Sequence, residues 1–376
     1  MTTTIELRDL CAQKLLAAAD RPAHLTAFVG LDGFVDEILH VVDKRMDAQH
    51  YERVPSIARL AERIAEASGR STNIELVNQL TKLGGNGPIM ANALARFGLK
   101  VTYLGNLGYP HLHPVFDEFA ARAEVVSIAE PGHTDALEFD DGKIMLGKHS
   151  SLKEVNWANI LARFGRERLA QKLEGSSLVA FVNWTMLPHM SDIWEALQHE
   201  LCPGLNTHTP RRMIFFDLCD PEKRTAADIS RALELIVRFE KHFDVTLGLN
   251  EKEANEIADV LGLHGKAHNA EALSALAAKL QARLPVNTIV IHPVSYALAI
   301  SGDAAQVVKG PYISKPKITT GAGDHFNAGF CLGKLLGFDN ALSLLTGVTT
   351  SGYYVRTAKS PSLPQLVEML HKWPGK

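Results

Sequence analysis

The stretch ITTGAGDHFNAGF, residues 318–330, decides how the rest of the chain is read. Three small residues, Gly321, Ala322 and Gly323, stand directly before a carboxylate, Asp324, and a helical pattern follows. At the start of a helix the first N–H groups have no intrahelical partner, and the helix dipole favours negative charge there. Small residues let an anion approach that backbone, so Gly321, Ala322 and Gly323 are expected to form an anion hole. Asp324 would repel a phosphate unless it works as a base. It would then take the proton of a substrate hydroxyl while the amides stabilise the phosphoryl group under attack. The alternative is a plain helix N-cap, a position Asp favours. Other glycine motifs do not fit: Phe326 stands where a dinucleotide fingerprint needs its third glycine, and Leu335 where a P-loop needs Ser or Thr.

The bulk properties set the frame for that chemistry. With 376 residues, 46% of them hydrophobic and 22% charged, the chain can bury a core without disulfide or metal staples. A formal net charge of −3 provides no general basic field, so neither nucleic acid nor an anionic membrane is an expected partner. Cys11, Cys202, Cys219 and Cys331 are isolated in sequence, which predicts reduced thiols and a cytoplasmic protein. The first twenty residues mix charges into an amphipathic pattern, and no signal peptide or membrane span is expected.

Apolar runs at residues 25–30, 100–105, 177–183, 213–218, 244–250 and 287–292 read as buried strands, with helical patterns between them. Such alternation predicts an α/β fold: a central, mainly parallel sheet flanked by helices. Three segments, approximately 36–48, 72–84 and 134–148, alternate instead, the last around Asp140-Asp141-Gly142. They predict a small β-sheet lid, or equally an ordinary edge sheet, on one domain covering residues 1–376. Asn183, at a strand end, is a candidate for substrate contact or a structural cap. His111 and His113 have no readable third ligand, so a metal-free loop is expected.

TTGAGDHFNAGF closely resembles the C-terminal signature of the ribokinase-like, or PfkB, carbohydrate and nucleoside kinases. A second segment, KLGGNGPIMANALARFGLKVTYLGNLG at residues 82–108, is similar to the N-terminal signature of that family. The resemblance implies a ribokinase-like fold with a β lid, and an ATP-dependent kinase acting on a hydroxyl of a sugar, sugar derivative or nucleoside. It assigns the base to Asp324 and the anion hole to residues 321–323. Gly84 and Gly85 would let the backbone approach the acceptor, and Asn86 offers it both donors and acceptors. Asp36 is expected to accept hydrogen bonds from substrate hydroxyls, with Asp32 as the competitor. Asn250 and Glu253 match an Asn-x-x-Glu motif that places Mg2+ and phosphate through water, and Thr320 joins the nucleotide contacts. Asp217 would face the site, with Arg224 near phosphate or in a local ion pair. The resemblance also implies a homodimer through the lid.

The chain departs from the family pattern in three places. His292-Pro293-Val294-Ser295-Tyr296-Ala297 replaces a glycine turn that usually approaches nucleotide phosphates. Ile318 stands where an aspartate often helps to bind a monovalent cation. The N-terminal helix and residues 54–70 are additions that could reshape the lid, the substrate entrance or a subunit contact. The altered turn keeps a second reading open, a non-catalytic nucleotide- or sugar-binding regulator on a kinase fold.

Overall fold

Strands buried on both faces need helices above and below them, and the chain supplies both. The structure, a computed structural model, describes residues 4–206, 211–302 and 305–374. Its strands are β1 (Thr26–Leu31), β2 (Phe34–Arg45), β3 (Tyr51–Arg53), β4 (Leu76–Gly84), β5 (Lys100–Gly105), β6 (Glu124–Ser127) and β7 (Gly132–Glu138). They continue as β8 (Lys143–Lys148), β9 (Leu178–Phe181), β10 (Met213–Asp217), β11 (Asp244–Leu249), β12 (Thr288–Ile291), β13 (Tyr296–Ile300) and β14 (Ala305–Lys309). Nine of them form one sheet in the order β14-β13-β12-β11-β10-β9-β1-β5-β6. All neighbours from β12 to β6 run parallel, and only β13 and β14 pair antiparallel. This is a ribokinase-like α/β architecture, as the resemblance implied.

Strand alternation divides the core into two layers. Phe28, Phe181, Phe216 and Ile289 pack on one face of the sheet with Trp184 and Trp194. Their neighbours Val29, Ala180, Phe215 and Val290 pack on the other, against the helix Ala322–Leu335. That helix carries the opening motif, and its seat is set by close contact with the helix Asn340–Thr357. A methyl group on Gly329 would lie 2.3 Å from Thr350 Oγ1 and 2.8 Å from the Thr346 carbonyl. Bare backbone at that point lets the two helices touch.

The alternating segments form the second sheet. In it β4 and β7 flank the long strand β2, β8 closes the β7 hairpin, and β3 pairs with the far end of β2. The segments expected at 36–48, 72–84 and 134–148 correspond to β2, β4 and the β7–β8 hairpin. The short strand β3 was not legible. The added segment at 54–70 contains the helix Ile57–Glu66, whose Leu60 packs with Leu39, Val41, Leu137 and Phe139 of the small sheet. It therefore stiffens the lid. The added N-terminal helix, Ile5–Ala17, packs on the C-terminal helix Leu363–Lys372, with Arg8 over the Trp373 ring.

A Gly329→Ala variant should lose thermal stability, by about 1–3 kcal/mol for overpacking a tight contact. Gly175→Ala, where an added methyl meets nothing within 4 Å, should leave the melting temperature unchanged or slightly raised. Equal melting temperatures for Gly329→Ala and wild type would show that the helix pair has slack.

Candidate active site

Five adjacent strands each deliver a polar residue at or just beyond their carboxyl ends: Asp32 after β1, Asn183 after β9, Asp217 on β10, Asn250 after β11 and His292 after β12. Open parallel sheets bind ligands along this edge. The two signature segments meet here across 238 residues of chain, through a 2.9 Å hydrogen bond from Asn86 Nδ2 to Asp324 Oδ1. Asn86 begins one helix (Asn86–Arg96) and Asp324 lies in the first turn of another.

A buried network of carboxylates and amides surrounds that bond. Asp32 accepts from the amides of Asn86 (2.9 Å) and Gly87 (2.8 Å) and from Asn183 Nδ2 (2.7 Å). The Tyr103 hydroxyl donates to the Asp32 carbonyl. Asn327, one turn beyond Asp324, donates to Asp217 at 2.8 Å. Asn183 holds a left-handed backbone, φ 61°, which Asn tolerates better than most residues. Burial lifts the Asp324 carboxyl to about 8: the Asn86 hydrogen bond opposes that shift, and the neighbouring Asp32 and Glu253 carboxylates add to it. Burial lifts Asp32 to about 6 against the pull of its donors. Asp217 and Glu253 are raised as well, first by burial and then by facing other carboxylates.

The expected residues fall into place unevenly. Gly84 and Gly85 clear space for acids: added methyl groups would lie 2.5 Å from the Asp36 carboxylate and 2.8 Å from Asp32 Oδ2, respectively. Gly85 also takes φ 94°. Asp32 spends both oxygens on protein donors, whereas the partner recorded for Asp36 among the described residues is Lys82, at 3.6 Å. Of the two acids, Asp36 is the one with capacity for a ligand.

The amides expected to form an anion hole are not all free. Ala322 N–H donates to the Thr319 carbonyl at 3.0 Å, while the Gly321 and Gly323 amides have no protein acceptor among the described residues. Gly321 caps the helix with φ 91°. Thr319, not Thr320, lines the adjoining cavity, and Thr320 offers its carbonyl to the Tyr354 hydroxyl at 2.9 Å.

Asn250 and Glu253 make a reciprocal capping box, Asn250 Oδ1 accepting from Glu253 N and Glu253 accepting from Asn250 N. The second Glu253 oxygen accepts from Asp220 N. Both oxygens are thus engaged, and the carboxylate sits close enough to Asp217 to be raised by it, after burial. Arg224 lies over the Trp184 ring and donates to the carbonyls of Thr185 and Leu187. It braces a loop, and among the described residues it makes no ion pair. Among the described residues no group of His, Cys, Asp or Glu side chains is arranged to hold a metal by itself, and His113 caps a short turn through Val115 N.

Two further residues set the motif from behind. The His325 ring stacks on Tyr354 at 3.7 Å, and its nitrogens reach the Gly321 carbonyl (2.7 Å) and Ser360 Oγ (2.8 Å). A carbonyl only accepts, so Nδ1 carries the proton and Nε2 accepts from the serine. Burial pushes His325 down to about 4, keeping it neutral. Nothing in the sequence pattern singled out His325 or Tyr354. Asn327 was readable in principle, because three residues on a helix place it beside Asp324.

Beside this helix start opens a cavity of about 810 Å³, walled by Asn250, His292, Ala322, Gly323, Phe326 and an apolar face that includes Ile313, Val348 and Val355. A model of the prokaryotic ketohexokinase family matches residues 2–373. The chain belongs to that family. A ketohexokinase of Haloferax volcanii is 30% identical over 366 residues, covering 97% of this chain and 95% of the relative. Arabidopsis thaliana ribokinase, solved with ribose and ATP, superposes with TM-score 0.64 at 14% identity, covering 92% of this chain and 98% of that one. Escherichia coli phosphofructokinase-2 does so with TM-score 0.63 at 12% identity, covering 93% and 99%. These two likenesses show the fold. As a member of the ketohexokinase family the protein is an ATP-dependent sugar kinase, a phosphotransferase with an alcohol acceptor, and the regulator reading is set aside.

A raised carboxyl holds its proton more tightly when folded than when unfolded. Its stabilising effect is complete below the unfolded value near 4 and is lost as pH rises through about 8. Asp324→Asn keeps an oxygen for Asn86 and stays neutral throughout. Its melting temperature should exceed that of wild type by a margin that widens from pH 5 to pH 8 and then levels. A margin independent of pH would mean that charge at Asp324 is not what strains the fold.

Proposed function

We propose that the protein phosphorylates a hydroxyl of a ketohexose from Mg-ATP in the cytoplasm, with Asp324 as the base. The observation that carries this reading is the Asn86–Asp324 hydrogen bond, which joins the acceptor side of the site to the anion hole. Asp36 and Asn86 hold the acceptor, with Gly84, Gly85 and Asn183 shaping its floor. Asp324 takes the proton of the attacking hydroxyl. A carboxyl lifted toward neutral pH suits that role, because its conjugate base is a stronger proton acceptor than an ordinary carboxylate. The Gly321 and Gly323 amides stabilise charge on the moving phosphoryl group.

The residues present fit a magnesium ion held through water. Asp217, Glu253 and Asp324 form a buried negative cluster whose mutual repulsion a cation would relieve, and the engaged oxygens of Glu253 disfavour direct ligation. Bound with the nucleotide, the ion would neutralise phosphate charge near Asn250 and Glu253. The small sheet closes over the acceptor and excludes water, and it is also the contact through which we propose a homodimer. Ile318 in place of an acid, and His325 holding the Gly321 carbonyl, leave turnover without need of a monovalent cation.

A screen of ketohexoses, aldoses and nucleosides with ATP and magnesium tests the acceptor, and nucleotide binding without turnover on any of them would return the regulator reading. Asp324→Asn should lower turnover by roughly 10²–10⁴-fold, the range for a lost general base, while still binding ADP. Near-normal turnover in that variant would remove Asp324 as the base. Turnover should also be the same in potassium as in tetramethylammonium salts, and a clear potassium activation would contradict the role given to His325.

A further inference from the structure

We propose that His292 binds a phosphate oxygen of the nucleotide, its side chain doing what backbone amides of a glycine turn would otherwise do. This rests on the kinase reading above and adds a residue to it. His292 follows β12 at the carboxyl edge of the sheet and lines the cavity together with Ala322 and Gly323. Its backbone N–H is committed to the Leu249 carbonyl at 2.9 Å. The next residue is Pro293, which has no N–H to give, and Val294 beyond it is 92% exposed. Neither His292 nor Pro293 therefore has a backbone N–H to offer a ligand.

The imidazole is placed to compensate. Its face packs on the Phe326 ring, with centroids 4.8 Å apart at 35°, which fixes the ring plane. A methyl group on Gly323 would sit 3.2 Å from His292 Cε1 and 3.9 Å from Nε2, so the ring edge lies directly over the residue whose amide faces the anion site. His292 Nε2 is buried and has no hydrogen-bond partner. Leaving a buried polar atom orphaned is destabilising, and a ligand oxygen would relieve that cost. Burial pushes His292 down to about 4, so the ring is neutral and carries one proton.

The neighbourhood selects the kind of group that binds. Beside Gly323 lies a helix N-terminus with an unpaired amide, which attracts an oxyanion. A neutral imidazole next to an oxyanion is stable as the Nε2–H tautomer, donating. The apolar wall of Ile313, Val348 and Val355 suits the base instead. His292 thus discriminates phosphorylated adenosine from adenosine itself.

Calorimetric titration of adenosine, ADP and ATP into wild type, His292→Ala and His292→Gln tests this. His292→Ala should weaken ADP and ATP about ten-fold or more, the loss expected for a hydrogen bond to a charged group, with adenosine affinity unchanged. His292→Gln, which keeps an N–H at similar reach, should recover most of the loss. An equal loss for adenosine would make His292 a packing residue of the base pocket, and no loss for ADP would remove it from the phosphate site; either result overturns the proposal. A wild-type protein that binds neither adenosine nor ADP would instead break the kinase reading, and this inference with it.

Discussion

One hydrogen bond, Asn86 to Asp324, holds the site together, because it ties the start of the helix Asn86–Arg96 to the first turn of the helix Ala322–Leu335. Around it the fold repeats a single device. Three buried aspartates are each met by an amide side chain: Asp324 by Asn86, Asp32 by Asn183 and Asp217 by Asn327. Glu253 is met by two backbone amides. These donors make burial tolerable without adding positive charge. The negative charges are left facing one another, and all four carboxyls are raised. A site held in that condition attracts cations and protons, and supplying them is the business of a phosphoryl-transfer reaction.

Rigid elements maintain the tension. The acids stand on strand ends and helix starts, where the backbone has little freedom, and His325 and Tyr354 pin the Thr320 and Gly321 carbonyls from the rear. The helix bearing Asp324 cannot retreat, since bare glycine backbone seats it against its neighbour. The lid grows from the same construction. Asp32 follows β1, and Asp36 comes two residues into β2, which then runs outward as the central strand of the small sheet. A single short segment therefore connects the buried network with the small sheet.

Much of this was legible because its physics is local. Buried parallel strands declared themselves as apolar runs, and the lid strands as alternation. Strands β3, β6, β13 and β14 did not, because they are short or peripheral and their partners, not their own composition, make them strands. The motif around Asp324 could be read as an anion site because unpaired amides at a helix start are a consequence of helix geometry itself. Side-chain commitments were harder. That Ala322 N–H turns back to Thr319, that Thr319 and not Thr320 faces the cavity, and that Arg224 spends its donors on nearby carbonyls all depend on where the chain folds after the motif ends.

Consecutive residues were enough to read the architecture and a helix start beside Asp324, since periodicity and the orphan amides of a helix start are local properties. Which of two nearby acids is free was settled by the folded contacts. Asp32 is consumed by donors from residues 86, 87 and 183, and Asp36 is left with Lys82. Only the structure, too, brought His292 over Gly323. Hydrogen-bond capacity is limited by valence, and which partners use it up depends on residues that are distant in the chain and adjacent in space.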